Sequence, residues 1–175
     1  MTTSSLPARA SSPGRSLATP GLVVAGGLIA GTLDIAYACA FWAVRADVPA
    51  RRIFQSVAAG LLGPASFDGG TRTAALGLAL HYLIALSMSV AYYRLARRWA
   101  PLWRRPVVYG GGYGLLLYGI MNYVVVPLSA AGPSSRDPLW VAVSVGVHVL
   151  LIGLPIALAT RAAVRAGRAG AGGRA

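Results

Sequence analysis

The sequence predicts an all-α integral membrane protein, a bundle of four transmembrane helices with a short amphipathic helix in the first outer connector. Three observations predict this class. Four long apolar runs cover most of the 175 residues, charged residues make up only 11% of the chain, and nearly all of the charges lie between or beyond the runs. Because a soluble domain carries about 25% charged residues, the composition excludes an ordinary soluble protein.

The four apolar runs are the predicted spans, at residues 22–44, 74–93, 106–128 and 139–160. Each is long enough to cross about 30 Å of hydrocarbon, because a helix rises about 1.5 Å per residue. The membrane domain is therefore predicted at residues 19–162. Residues 1–18 are polar and Ser-rich, and residues 163–175 are rich in Gly, Ala and Arg, so both are predicted to be disordered cytoplasmic tails.

The first apolar run has an alternative interpretation as part of a secretory signal peptide. Leu22–Leu33 has the length of an apolar signal region, and the small residues of Ala36–Ala40 offer a cleavage site. However, Asp34 would interrupt this region before the cleavage site, and the apolar run continues to Val44. A first transmembrane span is therefore favoured over a cleaved signal peptide.

Arginine supplies all 16 basic residues and gives the chain a net charge of +12. An even number of spans puts both termini on one side, and 11 of the 16 arginines fall on that side. The positive-inside rule then places both termini in the cytoplasm. Nucleic-acid binding is not predicted, because no recognition helix or aromatic and basic motif accompanies the charge. Anionic lipid headgroups are the predicted partners of the arginines in the second connector, which are Arg94, Arg97, Arg98, Arg104 and Arg105.

The first outer connector contains a predicted helix at about residues 50–63, between Pro49 and Pro64. Its apolar residues form one stripe along the helix. Its polar residues are predicted on the opposite side, and they are Arg51, Arg52, Gln55 and Ser56. Such a helix lies on the outer membrane surface, or it dips back into the membrane as a re-entrant piece beside the other helices.

A layer of four polar side chains interrupts the predicted spans. The layer consists of Asp34, His81, Asn122 and His148. Counted from the outer span ends at about 1.5 Å per residue, they lie roughly 15, 10, 9 and 14 Å deep. Asp34 is the most costly, because a charged side chain near the midplane costs at least about 2.5 kcal/mol. Small residues share its helix face, so another helix can approach it closely.

The polar layer has two interpretations. Asn122 and the two histidines are typical of side chains that join transmembrane helices by hydrogen bonds. A carboxylate and imidazoles at one height are also what a buried ion pair or proton relay requires. No His or Cys motif with metal-ligand spacing accompanies them, so no metal or other cofactor is predicted. Because no constellation for covalent catalysis is recognisable, neither a catalytic residue nor an enzyme is predicted.

Five glycines in the apolar runs are predicted helix-packing positions, because a missing side chain lets two helices approach closely. They are Gly27, Gly31, Gly110, Gly114 and Gly119. None is predicted to bind phosphate, since no strand precedes them and no Gly-Lys-Ser/Thr sequence follows. In the fourth span, Pro155 lacks the N–H group that would bond to Leu151, and it is predicted to kink the helix.

Four segments carry a family resemblance, and they are Ala30–Tyr37, Gly60–Gly63, Ala74–Tyr82 and Met121–Leu128. They resemble a family of small, uncharacterised bacterial inner-membrane proteins with four helices, similar to the YagU-like group. The resemblance spans about residues 22–160. It implies a location in the bacterial inner membrane and no established activity, and it contributes no catalytic residue.

Two functions from different classes are expected. The favoured one is a structural or accessory membrane protein, in which the polar layer fixes helix pairing. The alternative is a small proton-linked or small-molecule transporter that uses Asp34 with His81 or His148. A transporter is expected to form a homo-oligomer, because four helices enclose little space for a path.

Overall fold

The computed structural model describes residues 18–172, and this part of the chain is helical apart from short connectors. No strand occurs between residues 18 and 172, so the predicted all-α class is confirmed for them. The predicted N-terminal tail lies outside the described residues, except for its last residue.

Eight α-helices, two π-helical segments and one 3₁₀ turn make up the described chain. The helices are α1 (Ala18–Ala46), α2 (Ala50–Leu62), α3 (Gly70–Arg98), α4 (Pro101–Arg104), α5 (Pro106–Ile120), α6 (Val126–Leu128), α7 (Pro138–Val147) and α8 (Leu154–Gly172). The 3₁₀ turn, Gly63–Phe67, follows α2. The first π segment, Met121–Val125, joins α5 to α6, and the second, His148–Gly153, joins α7 to α8.

Four continuous helical stretches are long and apolar enough to cross a membrane. They run over Thr19–Ala46, Gly70–Arg98, Pro106–Leu128 and Pro138–Ala169, and each contains one predicted span. The end of the molecule that carries α2 and residues 129–137 is called the outer end, after the predicted orientation. The opposite end, which carries α4, is called the inner end.

The predicted C-terminal tail is wrong over its first ten residues, because α8 continues through Gly172. Ala163 and Val164 are 0% and 8% exposed, and the Thr19 hydroxyl donates a hydrogen bond of 3.5 Å to the Ala163 carbonyl. The Arg168 guanidinium also lies 4.6 Å from the centre of the Trp103 ring. Alanine favours helix, and these contacts with α1 and α4 extend it. Residues 173–175 lie outside the described range.

Prolines interrupt the third and fourth long helices, and a π segment precedes each of them. Pro127 follows the first π segment by two residues, and Pro155 follows the second by two residues. Proline cannot donate to the carbonyl four residues earlier, and a widened π turn is one way in which a helix absorbs such a gap. The kink predicted at Pro155 therefore takes the form of a π segment one turn before the proline.

Helix α1 packs against both α3 and α8. A methyl group on Gly26 would lie 2.5 Å from the Ala159 Cβ on α8, and one on Gly31 would lie 3.0 Å from the Ala85 Cβ on α3. On the same side as Gly31, a Cβ on Gly27 would lie 3.1 Å from the Leu86 Cα. Gly27 and Gly31 therefore lie at the contact between α1 and α3, where a side chain would crowd α3.

Helix α5 packs against the second π segment and α8 through two glycines. A Cβ on Gly114 would collide with the His148 carbonyl oxygen, and one on Gly110 would lie 2.7 Å from the Ala157 Cβ, so both glycines lie at this contact. The prediction for Gly119 is wrong, because a Cβ there would meet nothing within 4 Å. At about 100° per residue, Gly119 lies roughly 140° around the helix from Gly114.

Helix α2 packs along α3 and not only at its end. A Cβ on Gly77 would collide with the Phe54 carbonyl oxygen, so the two backbones are in contact about 10 Å along α3 from its start. The prediction that Gln55 lies on the polar side is wrong. It is 2% exposed, and its side-chain amide donates to the Gly70 carbonyl at 3.1 Å and the Thr73 hydroxyl at 3.3 Å.

The second and third long helices do not pack extensively on each other. Helix α3 packs mainly on α1 and α2, whereas α5 packs mainly on α8 and the second π segment. Toward the inner end, a buried apolar cluster closes the space between them. Two tyrosines strengthen this closure. The Tyr92 hydroxyl donates to the Leu102 carbonyl at 3.0 Å, and the Tyr113 hydroxyl donates to the Met88 carbonyl at 2.9 Å.

At the outer end, aromatic rings hold α1 to the start of α7. The Tyr37 and Trp140 rings are stacked, with centroids 5.4 Å apart. The Trp42 ring lies 5.3 Å from Trp140, and Phe41 lies 5.0 Å from it. This aromatic cluster fixes the outer ends of the first and fourth long helices relative to each other.

Asp137 begins α7 and also pairs with α1. Its carboxylate accepts the backbone N–H groups of Leu139 at 2.8 Å and Trp140 at 3.2 Å, and it lies 3.3 Å from the Arg45 guanidinium. The backbone hydrogen bond from Trp140, that from Leu139 and the Arg45 charge together hold the pKa of Asp137 below its ordinary value of 3.8.

We predict that Gly77→Ala destabilises the protein and that Gly119→Ala does not. The methyl group at position 77 would push α2 off α3, at a cost of about 1–3 kcal/mol. At position 119 it meets open space, and alanine favours helix over glycine by up to about 1 kcal/mol. Thermal unfolding of the purified variants in detergent tests the pair. Equal unfolding temperatures for the two variants would contradict the α2–α3 packing.

We predict that Asp137→Ala lowers the unfolding temperature more than Arg45→Ala, because it removes the cap of α7 as well as the ion pair. The folded-state pKa of Asp137 is lowered, so its stabilising effect is present above its ordinary pKa of 3.8 and is lost as the pH falls through the lower folded value. Unfolding scans of both variants over a pH series check this. A difference from wild type that persists unchanged in strong acid would count against it.

Candidate functional site

A cavity of about 270 Å³ lies where α3 and α5 are apart. Its lining comes from α1, α2, α3, α7 and both π segments. The structure brings all four residues of the predicted polar layer to this one cavity, and they are Asp34, His81, Asn122 and His148. Depth along the helices predicted only a common height. The arrangement of the helices places the four side chains around a common space.

Asp34 lies one turn of α1 beyond Gly31, toward the outer end, and is half-buried. Its carboxylate is within electrostatic range of both His148 and His81. Among residues 18–172, no side chain or backbone group donates a hydrogen bond to it. A carboxylate that served only to join helices would be expected to accept such bonds, and this half-buried carboxylate instead borders the cavity.

His81 is the member of the polar layer that joins two helices. Its Nε2 atom donates to the Gly31 carbonyl oxygen at 2.8 Å, linking α3 to α1. A carbonyl oxygen only accepts hydrogen bonds, so Nε2 carries a hydrogen in both protonation states of the ring. Nδ1 is therefore the ring nitrogen left without a bond to residues 18–172.

His148 is oriented in the opposite sense and within its own helix. Its Nδ1 atom donates to the Ser144 carbonyl oxygen at 2.9 Å, which leaves Nε2 as the nitrogen available to a ligand. The ring lies edge-on to Tyr118, with centroids 5.3 Å apart. The backbone thus fixes the tautomer of each imidazole and leaves one nitrogen of each without a bond to residues 18–172.

Asn122 also bonds within its own helix, since its amide donates to the Tyr118 carbonyl at 3.0 Å. The prediction that the polar layer joins helices is therefore right for His81 and wrong for Asn122 and His148. Both of these residues lie at the start of a π segment, where the helical hydrogen-bond pattern is irregular and carbonyl groups can accept side-chain donors.

The aromatic side chains that line the cavity were not predicted from the sequence. Tyr37, Trp42 and Trp140 line it, although the tryptophans have the sequence positions of residues at a membrane interface. The Tyr37 hydroxyl lies 3.4 Å from the Ser144 hydroxyl. Helical spacing could have predicted that Tyr37 lies near Asp34, because Tyr37 is three residues beyond Asp34 on the same face.

The cavity continues into a wider groove at the outer end. The groove has a volume of about 670 Å³ and shares Trp42, Ser56, Asn122 and Trp140 with the cavity. Arg52 and the connector between the third and fourth long helices also line it. Access is therefore from the outer end. At the inner end, Met88 lines the cavity and packs on the buried apolar cluster.

The arginines predicted to meet lipid headgroups lie exposed at the inner end. Arg94, Arg97 and Arg98 line a shared surface depression at the end of α3. The Arg104 guanidinium lies 5.5 Å from the centre of the Trp103 ring. These residues are far along the helices from the polar layer and form a separate surface.

Within residues 18–172, no three His, Cys, Asp or Glu side chains come close enough to hold a metal ion. Asp34, His81 and His148 therefore face one cavity without converging on a single point. A ligand larger than an ion could reach all three.

Comparisons with known proteins add no relative: no protein-family model, curated protein or solved structure matches the chain. The resemblance to the YagU-like group stays a prediction.

We predict that His81→Phe lowers the unfolding temperature more than His148→Phe. The first variant removes a hydrogen bond between α3 and α1, and such bonds stabilise transmembrane helix pairs by about 0.6–2 kcal/mol. The second removes a bond within one helix. Thermal unfolding of both variants in one detergent measures the difference. A larger loss for His148→Phe would contradict the assigned hydrogen bonds.

Proposed function

We propose that this chain is a multi-pass protein of the bacterial inner membrane, with a bundle of four transmembrane helices and both termini in the cytoplasm. Its outer cavity binds a small molecule, and the protein carries it across the membrane in a proton-linked cycle. The observation that supports this proposal best is the Asp34 carboxylate, which faces a cavity open to the outer end and accepts no hydrogen bond from residues 18–172.

The free-energy cost of placing the Asp34 carboxylate within the membrane favours a binding role over a structural one. A charged side chain near the membrane midplane costs at least about 2.5 kcal/mol. A residue that served helix pairing would offset this cost with a hydrogen bond to a neighbouring helix, and Asp34 makes none within the described chain. Asn122 and His148 bond within their own helices. Three of the four polar residues thus contribute little to helix pairing.

The proposed proton path uses the nitrogens that the backbone leaves unbonded. Water in the outer groove reaches Nε2 of His148 and Nδ1 of His81, and both rings exchange protons with Asp34 across the cavity. In the cycle, the third and fourth helices would change shape at their π segments, which flank the cavity. A homo-oligomer is part of the proposal, because one bundle of four helices encloses little space.

The second candidate function is a structural or accessory membrane protein. The hydrogen bond between His81 and the Gly31 carbonyl favours it, because this bond does join two helices. Under this alternative the cavity holds only water, and removal of the Asp34 charge would change stability and nothing else.

The membrane location rests on the four apolar helices and the arginine surface at the inner end. Anionic headgroups would contribute about 1 kcal/mol for each arginine that reaches them. Membership of the YagU-like group is proposed from the four resembling segments, and it adds no residue to the site.

Proton-coupled flux tests the proposed function. Purified protein is reconstituted into liposomes that contain a pH-sensitive dye, and a panel of small amines, amino acids, carboxylates and sugars is added outside. We predict that wild type moves protons in response to at least one solute class. We predict that Asp34→Asn lowers that flux at least tenfold, as expected for loss of a charged partner worth about 1.5–3 kcal/mol.

Asp47→Asn is the matched control, because Asp47 is an exposed aspartate just beyond the same helix. It should retain the flux of wild type. A folded Asp34→Asn protein with undiminished flux, or a wild type that moves protons with no solute of the panel, would refute the carrier function.

A further inference from the structure

The four residues of the polar layer present mainly hydrogen-bond acceptors to a ligand. His81, His148 and Asn122 each donate one N–H group to a backbone carbonyl. What remains is Nδ1 of His81, Nε2 of His148, the carbonyl oxygen of the Asn122 amide, and both oxygens of Asp34. Among these four residues, the second amide hydrogen of Asn122 is the one hydrogen-bond donor that makes no bond to the backbone. A ligand that donates several hydrogen bonds therefore complements the site.

Fixed charge at the cavity comes from Asp34, because no arginine lines it. Arg45 is paired with Asp137 at 3.3 Å. Arg52 lines the outer groove, where its guanidinium lies 4.8 Å from the centre of the Phe67 ring. A half-buried carboxylate with no protein donor is stabilised by a cation that brings its own hydrogen-bond donors.

Apart from Ser56 and Ser144, the rest of the cavity lining is apolar or aromatic, and it includes Tyr37, Ile84, Met88, Trp140 and Ile152. Aromatic faces attract organic cations, and apolar walls favour the hydrocarbon part of a ligand. The volume of about 270 Å³ is near the lower limit of small-molecule sites, which begins at about 300 Å³. The site suits a small ligand.

We infer that the ligand of this cavity is a small organic ammonium ion with an apolar body, whose N–H groups bond to Asp34 and to the free imidazole nitrogens. The inference rests on the proposed function, because it names the ligand class of the same cavity. Protons and the ammonium ion compete for these groups, so the coupled cycle would be an exchange of one for the other.

Several titratable groups bear on this competition. His81 faces Asp34 from α3, and His148 faces it from the second π segment. Tyr37 lies on the same helix as Asp34 and is within electrostatic range of its carboxylate. Helix α2 contributes Ser56 to the lining and no titratable group. A proton on the carboxylate or on either imidazole would oppose binding of an ammonium ion.

Benzylammonium, benzyl alcohol and benzoate test the ligand class, because they share a ring and differ in charge. Their binding to full-length protein in lipid nanodiscs is measured by calorimetry at about pH 8 and about pH 5, on either side of the ordinary pKa of imidazole. We predict that benzylammonium binds at least tenfold more tightly than the alcohol at the higher pH, as expected for a charged hydrogen bond. We also predict weaker binding at the lower pH and none of benzoate.

Asp34→Asn should reduce the affinity for benzylammonium at least tenfold, and Asp47→Asn should leave it unchanged. The comparison of the three ligands on wild type needs no variant, so it decides the inference even where Asp34→Asn does not fold. Tighter binding of benzoate or of the alcohol would overturn the ammonium class and leave a small-molecule cavity in place. Proton flux driven by sugars or carboxylates alone would also overturn the ammonium class. The absence of flux with any solute would refute the carrier function itself.

Discussion

The close approach of α1 to α3 and α8 is the constraint on which the rest of the structure depends. Gly26 brings α8 within contact of the α1 backbone, and Gly27 and Gly31 bring α3 within contact on another side. Helix α5 then packs on α8 and the second π segment through Gly110 and Gly114. With both α3 and α5 held by these contacts, a space is left between them. Asp34, one turn beyond Gly31, borders that space.

The same packing explains why the cavity opens in one direction only. Toward the inner end, Tyr113 on α5 bridges to α3 by its hydrogen bond to the Met88 carbonyl, and Tyr92 on α3 bonds to the Leu102 carbonyl on α4. Toward the outer end, α2 and the aromatic cluster around Trp140 form walls and leave the groove between them. The two π segments border the cavity where the third and fourth helices are interrupted by proline. At the first π segment the third helix can change shape without disturbing the glycine contacts of α5, whereas the second π segment packs directly on Gly114.

Hydropathy predicted the four long helices, because the length of an apolar run depends on local composition alone. The polar layer was also predictable, since depth follows from counting residues along a helix. The partner of each polar group was not. Periodicity gives the face of a helix on which Asn122 or His148 lies, but not whether a carbonyl of the same helix accepts its hydrogen. For the same reason Gly119 was misassigned and Gln55 was placed on the wrong side, because both depend on which helix is the neighbour.

Accessibility of the cavity from the outer end is the most direct test of this account. In a Cys39→Ser background, Asn122→Cys lies at the junction of cavity and groove, and Leu117→Cys, at a site 5% exposed on the same long helix, lies in the buried cluster. A membrane-impermeant thiol reagent that carries an ammonium group is added to the outer face of oriented membranes, and labelling of each cysteine is measured by mass spectrometry. The account predicts rapid labelling at position 122 and none at position 117. Equal labelling of both positions, or no labelling of position 122 from the outer face, would contradict it.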